Sequence, residues 1–247
     1  MSTENNFPTE VVDLPSKGLL YSEDSPLKSG TIEMKYMTAK EEDILTNQNF
    51  IEKGIVIDKL LQALIVDKKI NYNELLIGDK NALLVAARIL GYGADYEFVY
   101  QGEKVKIDLS TIENKPFDEK LVKDGKNEFK FTLPTTKNEI TFKFLTHGDE
   151  KKVDQEIKGL KKINKDASPE LSTRLKYLIT GVDGNVETAF IRKFVDNQFL
   201  ARDSRAFRKH LAEIQPDIDL KFYPENGPEE GVDIPLGVTF LWPDFGV

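Results

Sequence analysis

Two regions of the chain place apolar residues three and four positions apart, the spacing that predicts amphipathic helices. The first region begins with a short alternating segment and predicts a strand plus a helical subdomain over 31–93. The second predicts a helical subdomain over 146–216, where Ser168-Pro169-Glu170 joins a capping residue to proline at the first helical position. Similar capping signals divide this second region into four predicted helices.

Between the helical regions the apolar period changes from helical to alternating, which predicts strands. Four alternating runs follow one another over 94–145, and they predict a four-stranded antiparallel meander with one apolar face. An aromatic face of this kind can be a core surface or a platform on which single-stranded RNA stacks. Acidic residues surround these strands and no RNP-like run of glycine with lysine or arginine is present, which favours the core.

Both ends of the chain are predicted to be extended. Residues 1–30 contain three prolines and no helical period, so they form an arm that either packs on its own domain or binds a partner. Residues 217–247 predict a terminal β-hairpin and an aromatic tail, with 238–243 extended. The expected fold class is therefore α+β: an N-terminal helical part, a central four-stranded antiparallel meander, and a C-terminal helical bundle ending in a β-hairpin.

Composition narrows the function classes. The 247 residues carry a net charge of −8, which argues against a protein that coats nucleic acid or an anionic membrane. No apolar run approaches the roughly 18 residues of a membrane helix, and the start of the chain lacks the basic and apolar pattern of a secretory signal. The absence of cysteine excludes disulfides and thiolate sites and fits a reducing cytoplasm.

The sequence contains no recognisable catalytic or metal-binding motif. Its two histidines, His147 and His210, are isolated, as is typical of surface residues. The run Gly91-Tyr92-Gly93 follows a predicted helix and does not open one, which favours a C-terminal cap at Gly91 over a phosphate loop. We therefore expect no enzymatic activity, no cofactor and no metal.

Basic residues are concentrated most sharply in Leu200–His210, where Arg202, Arg205 and Arg208 follow helical spacing. Arginine pairs well with carboxylates, carbonyls or phosphates. In a chain of this net charge an acidic protein surface is the expected target. The alternative is a nucleic-acid-binding regulator that uses the helices at 186–215 as a helix-turn-helix.

The aromatic C-terminus is the other candidate for partner contact. Phe240, Trp242 and Phe245 lie close together near the end of the chain, and Trp242 is the only tryptophan. Large aromatic side chains are favoured both in cores and as anchors of interfaces. This segment is expected either to dock on its own domain or to be buried by another chain.

Five runs, spread from about residue 14 to residue 243, carry a resemblance to a known family. In this order they resemble the T4-type bacteriophage baseplate proteins, described as baseplate hub subunits or hub assembly factors of contractile-tailed phages. The runs are Leu14-Pro-Ser-Lys-Gly-Leu-Leu-Tyr21, Ile32-Glu-Met-Lys-Tyr-Met-Thr-Ala-Lys-Glu-Glu-Asp-Ile-Leu45, Arg88-Ile-Leu-Gly-Tyr-Gly93, Leu200-Ala-Arg-Asp-Ser204, and Ile234-Pro-Leu-Gly with Phe240-Leu-Trp-Pro243.

The resemblance implies protein–protein work during tail assembly, as a structural part or an assembly chaperone, without enzymatic activity or cofactor. The implied partners are other baseplate and hub proteins. The implied location is the host cytoplasm during assembly, and the virion tail baseplate if the protein stays in the particle. The residues expected to contact partners are Leu14, Pro15, Lys17, Leu19, Tyr21, Arg202, Arg205, Arg208, Phe240, Trp242 and Phe245.

One departure from the family limits what can be transferred. Some relatives carry cysteine pairs in the C-terminal hairpin, as in a small zinc ribbon. The matching stretch here, Phe222–Pro228, has none. A metal role therefore does not carry over to this chain, and its hairpin must be held by packing.

Overall fold

Helices and small antiparallel sheets follow one another in the computed structural model, which describes residues 8–166, 168–224, 228, 231–236 and 238–242. The chain is 45% helical and 19% strand. The predicted α+β class is thus confirmed.

The N-terminal part pairs the arm with the first predicted strand and places four helices after them. Strands β1 and β2 are antiparallel, with Val12 opposite Ile32. A capping box formed by Thr38 and Glu41 starts the first helix, as the sequence indicates. The elements are β1 (Thr9–Asp13), β2 (Thr31–Lys35), α1 (Ala39–Leu45), α2 (Gln48–Glu52), α3 (Val56–Leu64) and α4 (Ile77–Tyr92).

Helix α4 ends two residues later than predicted. Its C-cap is Gly93, at φ +84°, and not Gly91. Gly91 lies inside the helix, where an added Cβ would approach the Met37 side chain to 2.9 Å. The glycine that adopts a positive φ at the end of this helix is therefore the second of the pair.

The predicted four-stranded meander is not confirmed, because its strands belong to two separate sheets. Strand β6 uses its second edge to pair with β7, where Ile140 lies opposite Val182. The segment 109–128 between the two hairpins contains short 3-10 turns. The strands are β3 (Asp95–Tyr100) with β4 (Glu103–Asp108), and β5 (Phe129–Thr132) with β6 (Glu139–Phe142) and β7 (Ile179–Val182).

The C-terminal part contains the four predicted helices and a short hairpin. In this hairpin Lys221 lies opposite Asp233 and Phe222 opposite Val232. The sequence predicts an extended segment over 238–243, but Val238–Leu241 forms a short helix instead. The elements are α5 (His147–Ile163), α6 (Glu170–Leu178), α7 (Thr188–Asn197), α8 (Ala201–Ile214), β8 (Lys221–Phe222), β9 (Val232–Asp233) and α9 (Val238–Leu241).

A continuous cluster of buried apolar side chains joins all five predicted segments. Leu14 of the arm and Phe240 of α9 both belong to it and are almost inaccessible to solvent. Phe142 of β6 packs against Phe207 of α8 with ring centroids 5.0 Å apart. Residues of all five segments thus contribute to one shared core.

Candidate functional site

The arm residues that the sequence proposed as partner contacts lie against the start of α4. The Asp79 carboxylate accepts hydrogen bonds from the Ser16 backbone N–H at 2.9 Å and from the Ser16 hydroxyl at 2.6 Å. It also accepts one from the Tyr21 hydroxyl at 2.6 Å. The Tyr21 oxygen in turn accepts from the Leu76 N–H at 2.9 Å. These contacts fix the arm to the helix.

The Asp79 carboxylate needs three hydrogen-bond donors because it is buried. Asp79 is fully buried, and burial raises the pKa of its carboxyl, against the hydrogen bonds from Ser16 and Tyr21 that lower it. Burial, followed by the charge of Asp79, raises the pKa of Tyr21. A buried acid of this kind costs stability unless it is hydrogen-bonded, so Ser16 and Tyr21 serve the fold.

The close approach of the arm to its own chain also explains the glycine in Leu14–Tyr21. Gly18 has φ +73°, and an added Cβ would lie 2.4 Å from the Lys28 carbonyl oxygen. Leu14, Pro15 and Tyr21 are buried, so these three side chains have little surface to offer another protein. The arm therefore packs on its own domain. Lys17 remains 58% exposed beside Glu119, and Leu19 is half-buried.

Helix α8 presents its arginines to solvent. Phe207 is buried on the inner side of this helix, and Arg202, Arg205 and Arg208 are exposed on the outer side. We call these three residues the arginine face. Within the described part of the chain, no carboxylate lies within ion-pair distance of any of them.

The orientation of α8 depends on Asp203, which lies between the arginines in sequence but points inward. Its buried carboxylate accepts the backbone N–H of Thr135 at 2.7 Å and of Thr136 at 3.1 Å, in the loop between β5 and β6. Burial acts to raise the pKa of Asp203, but these hydrogen bonds outweigh it and the pKa is lowered. Asp203 thus ties the helix to the hairpin and keeps the arginine face outward.

Apolar side chains are exposed near the arginine face in sequence. Leu200, the residue before α8, is 46% exposed, and Phe190 of α7 is 38% exposed. Arginine with exposed apolar residues is a composition typical of protein–protein interfaces.

The C-terminal aromatic residues differ in accessibility. Phe240 is fully buried and packs against Tyr96 with ring centroids 4.9 Å apart. Trp242 is half-buried against the same core. Phe245 lies outside the described residues. For Phe240, docking on its own domain is the alternative that the structure supports.

The structure also shows a polar cluster that sequence spacing gave no signal for. His147, expected at the surface, is only 4% exposed, so that expectation is wrong. Its Nε2 lies 3.4 Å from Asp58 Oδ2, and its Nδ1 lies 3.3 Å from Lys80 Nζ. Lys80 Nζ is 2.8 Å from Asp58 Oδ1, and the Tyr72 hydroxyl donates to that same oxygen at 3.1 Å. We call these four residues the histidine cluster.

The histidine cluster borders a groove of about 580 Å³ that is lined by residues of α3, α4 and α5. Burial, followed by the charge of Lys80, lowers the pKa of His147 below its ordinary value, which keeps the ring neutral near pH 7. Both ring nitrogens already face partners from the chain itself. These contacts join α3, α4 and α5.

His210 is half-buried, and its ring stacks on Phe131 with centroids 4.7 Å apart. Burial lowers its pKa as well. In the described part of the chain, no three histidine, aspartate or glutamate side chains are grouped to hold a metal ion. None of the described helices combines the length and apolar character needed to cross a membrane.

Compared with models of known protein families, with curated proteins and with solved structures, the chain matches none of them.

Proposed function

We propose that this chain is a non-enzymatic baseplate hub protein, or a hub assembly factor, of a contractile-tailed phage, and that it acts through protein–protein contacts. The ordered series of sequence runs over residues 14–243 supports the family assignment. The observation that carries the contact mechanism is the arginine face, whose three guanidinium groups have no acidic partner among the described residues.

The arginine face indicates what kind of partner surface would fit. Each guanidinium can bind a carboxylate through two parallel hydrogen bonds, so Arg202, Arg205 and Arg208 suit an acidic patch. Leu200 adds apolar area at the edge of this face. Because a specific interface usually buries roughly 1,200–2,000 Å² in total, the arginine face would form the centre of a wider contact.

The proposed site of action follows from this role. Binding to other baseplate and hub proteins would take place in the host cytoplasm while the tail is assembled. The chain would then either stay in the baseplate or leave it as an assembly chaperone does.

The test compares two triple variants in infected-cell lysates, with bound proteins identified by mass spectrometry. Replacing Arg202, Arg205 and Arg208 by alanine should reduce recovery of tail proteins by about tenfold or more, because such anchors dominate interfaces. Replacing Lys151, Lys152 and Lys158 of α5 by alanine removes the same charge from another exposed face and should leave recovery unchanged. Thermal melting must first show that both variants are folded. Absence of tail proteins from the wild-type sample would contradict the proposal.

A nucleic-acid-binding regulator is the second candidate, because α7 and α8 are joined by only a short connection and the arginine face also suits phosphates. The measurement that separates the two is binding to heparin or DNA at low salt. A regulator would lose affinity steeply as salt rises, whereas the hub proposal expects no DNA complex at physiological salt.

A further inference from the structure

Strand β3 pairs with β4 in a two-stranded sheet. Among the described residues, no strand pairs with the outer edge of β3, the edge that faces away from β4. The β3–β4 turn consists of Gln101 and Gly102, both at positive φ, and Tyr100 lies opposite Glu103. In a two-residue turn of this kind, the two residues that flank the turn form a hydrogen-bonded pair. Along an antiparallel ladder, hydrogen-bonded pairs alternate with pairs whose backbone N–H and C=O groups point away from the partner strand. The bond from the Leu109 N–H to the Ala94 carbonyl, at 2.8 Å, fits the same alternation.

This alternation defines which backbone groups of β3 point away from β4. They belong to Asp95, Glu97 and Val99. The Asp95 carbonyl accepts a hydrogen bond from Arg88 Nη2 at 2.8 Å. For the N–H and C=O groups of Glu97 and Val99, the described residues provide no hydrogen-bond partner. These four groups form an unused row of donors and acceptors.

A cavity of about 660 Å³ runs along this edge. Five consecutive residues of β3, 95–99, line it together with Arg88, Lys104, Lys106 and Pro235. Successive side chains of a strand point to opposite faces of the sheet. The cavity touches residues of both faces and also Arg88, which bonds the outward Asp95 carbonyl, so it reaches the outer edge of β3 as well as the face that carries Lys104 and Lys106.

The two edges of the hairpin differ in how they are protected. On the outer edge of β4 the corresponding positions are Lys104 and Lys106, both exposed, and lysine is a residue that keeps sheet edges from pairing. The outer edge of β3 has no lysine and no proline. Its Val99 is 67% exposed. Of the two edges of this hairpin, the edge of β3 is the one without lysine.

Charge indicates what segment fits. Asp95 already pairs with Lys106 at 2.8 Å, but Glu97 has no ion pair among the described residues. An added strand with a basic residue opposite Glu97 and an apolar residue opposite Val99 would match both positions. A second copy of the chain fits poorly. In antiparallel pairing of two β3 strands, the outward positions that can lie opposite Glu97 are Asp95, Glu97 and Val99, and none of them is basic.

We propose that the outer edge of β3 is a docking site for an extended segment of another protein, which adds to the β3–β4 sheet as a third strand and carries a basic residue opposite Glu97. This inference does not depend on the arginine face or on the phage assignment. Main-chain hydrogen bonds would supply affinity, and the side chains of Glu97 and Val99 would supply selectivity.

A display library of random ten-residue segments tests this proposal, with selection on the wild-type chain and counter-selection on Val99→Pro. Proline at this position removes an outward N–H and should weaken the selected segments by about tenfold. Lys104→Pro is the matched control, since Lys104 lies directly opposite Val99 and points to the other edge. Lys104→Pro should weaken binding of the selected segments by less than about twofold.

The selected segments should alternate basic and apolar residues, and they should slow hydrogen exchange at the Glu97 and Val99 amides. If Val99→Pro does not fold, Glu97→Lys replaces it and should shift selection from basic to acidic segments. The proposal would be overturned if no segment survived counter-selection, or if both proline variants lost binding equally. A dimer of the wild-type chain that Val99→Pro abolishes would also overturn it, because the occupant would then be a second copy.

Discussion

At the residue scale, the side chains that stand out in the sequence runs mostly serve internal bonds. Asp79 holds the arm through Ser16 and Tyr21, and Asp203 holds a hairpin loop. Such buried acids are stable only when every oxygen has donors, which explains why particular residue types are needed at these positions. A distinctive run is therefore not evidence of a partner surface by itself. Arg202 and its exposed neighbours differ because no acidic partner for them lies within the described residues.

His147 should make the free energy of unfolding depend on pH on the acidic side of neutrality. Its folded-state pKa lies below the ordinary value of 6.5, so the unfolded chain binds the proton first as pH falls. The free energy of unfolding should therefore decrease as pH falls below about 6.5. Asp58 and Asp154 act to raise this pKa, while Lys80 and Lys151 act to lower it.

Urea unfolding of His147→Gln at several pH values tests this. Below about pH 6.5 the free energy of unfolding of the variant should depend less steeply on pH, since a group that no longer titrates contributes nothing to this dependence. His210→Gln is the comparison, because burial also lowers that pKa and its share should be lost independently. Identical slopes in the wild type and in His147→Gln would contradict the assignment.

At the element scale, local pattern predicted well what depends on neighbours in sequence. The two hairpins at 95–108 and 129–142 form in the regions where apolar residues alternate. Strand β7 was missed because Ile179–Val182 follows α6 without a break in apolar spacing, and its partner β6 lies far away in sequence. The bond between Ser16 and Asp79 spans 63 positions, so no spacing rule could reveal it.

The attachment of α8 to the β5–β6 loop depends on a single carboxylate. Asp203→Ala should lower the free energy of unfolding by about 1–3 kcal/mol, because it removes two backbone hydrogen bonds to a charged acceptor. The Thr135 and Thr136 amides should then exchange faster with solvent. Arg202→Ala, one position away and exposed, is the control and should change stability by less than about 0.5 kcal/mol. Unchanged exchange at both threonines would show that another group holds the loop.

At the scale of the whole molecule, the shared core predicts that distant parts unfold together. Leu14 of the arm and Phe240 of α9 belong to the same buried cluster, and Trp242 packs against it. For a domain of this kind, probes in different regions should report one transition.

Leu14→Ala tests this coupling, since truncating a buried leucine costs about 2–5 kcal/mol. The variant should shift the denaturation midpoint of Trp242 fluorescence and that of far-ultraviolet circular dichroism by the same amount. Leu171→Ala, at a position that is 47% exposed, should shift neither by much. Midpoints that separate in Leu14→Ala would mean that the arm and the C-terminal end unfold independently.

The anchoring of the arm on Asp79 has a consequence for biosynthesis. Ser16 leaves the ribosome before its partner Asp79, which lies 63 positions later in the sequence. At a translation rate of about 5–20 residues per second, this delay is roughly 3–13 seconds. During that time Leu14 and Leu20 are exposed to solvent. Chaperones and proteases can therefore reach this part of the chain until α4 is complete.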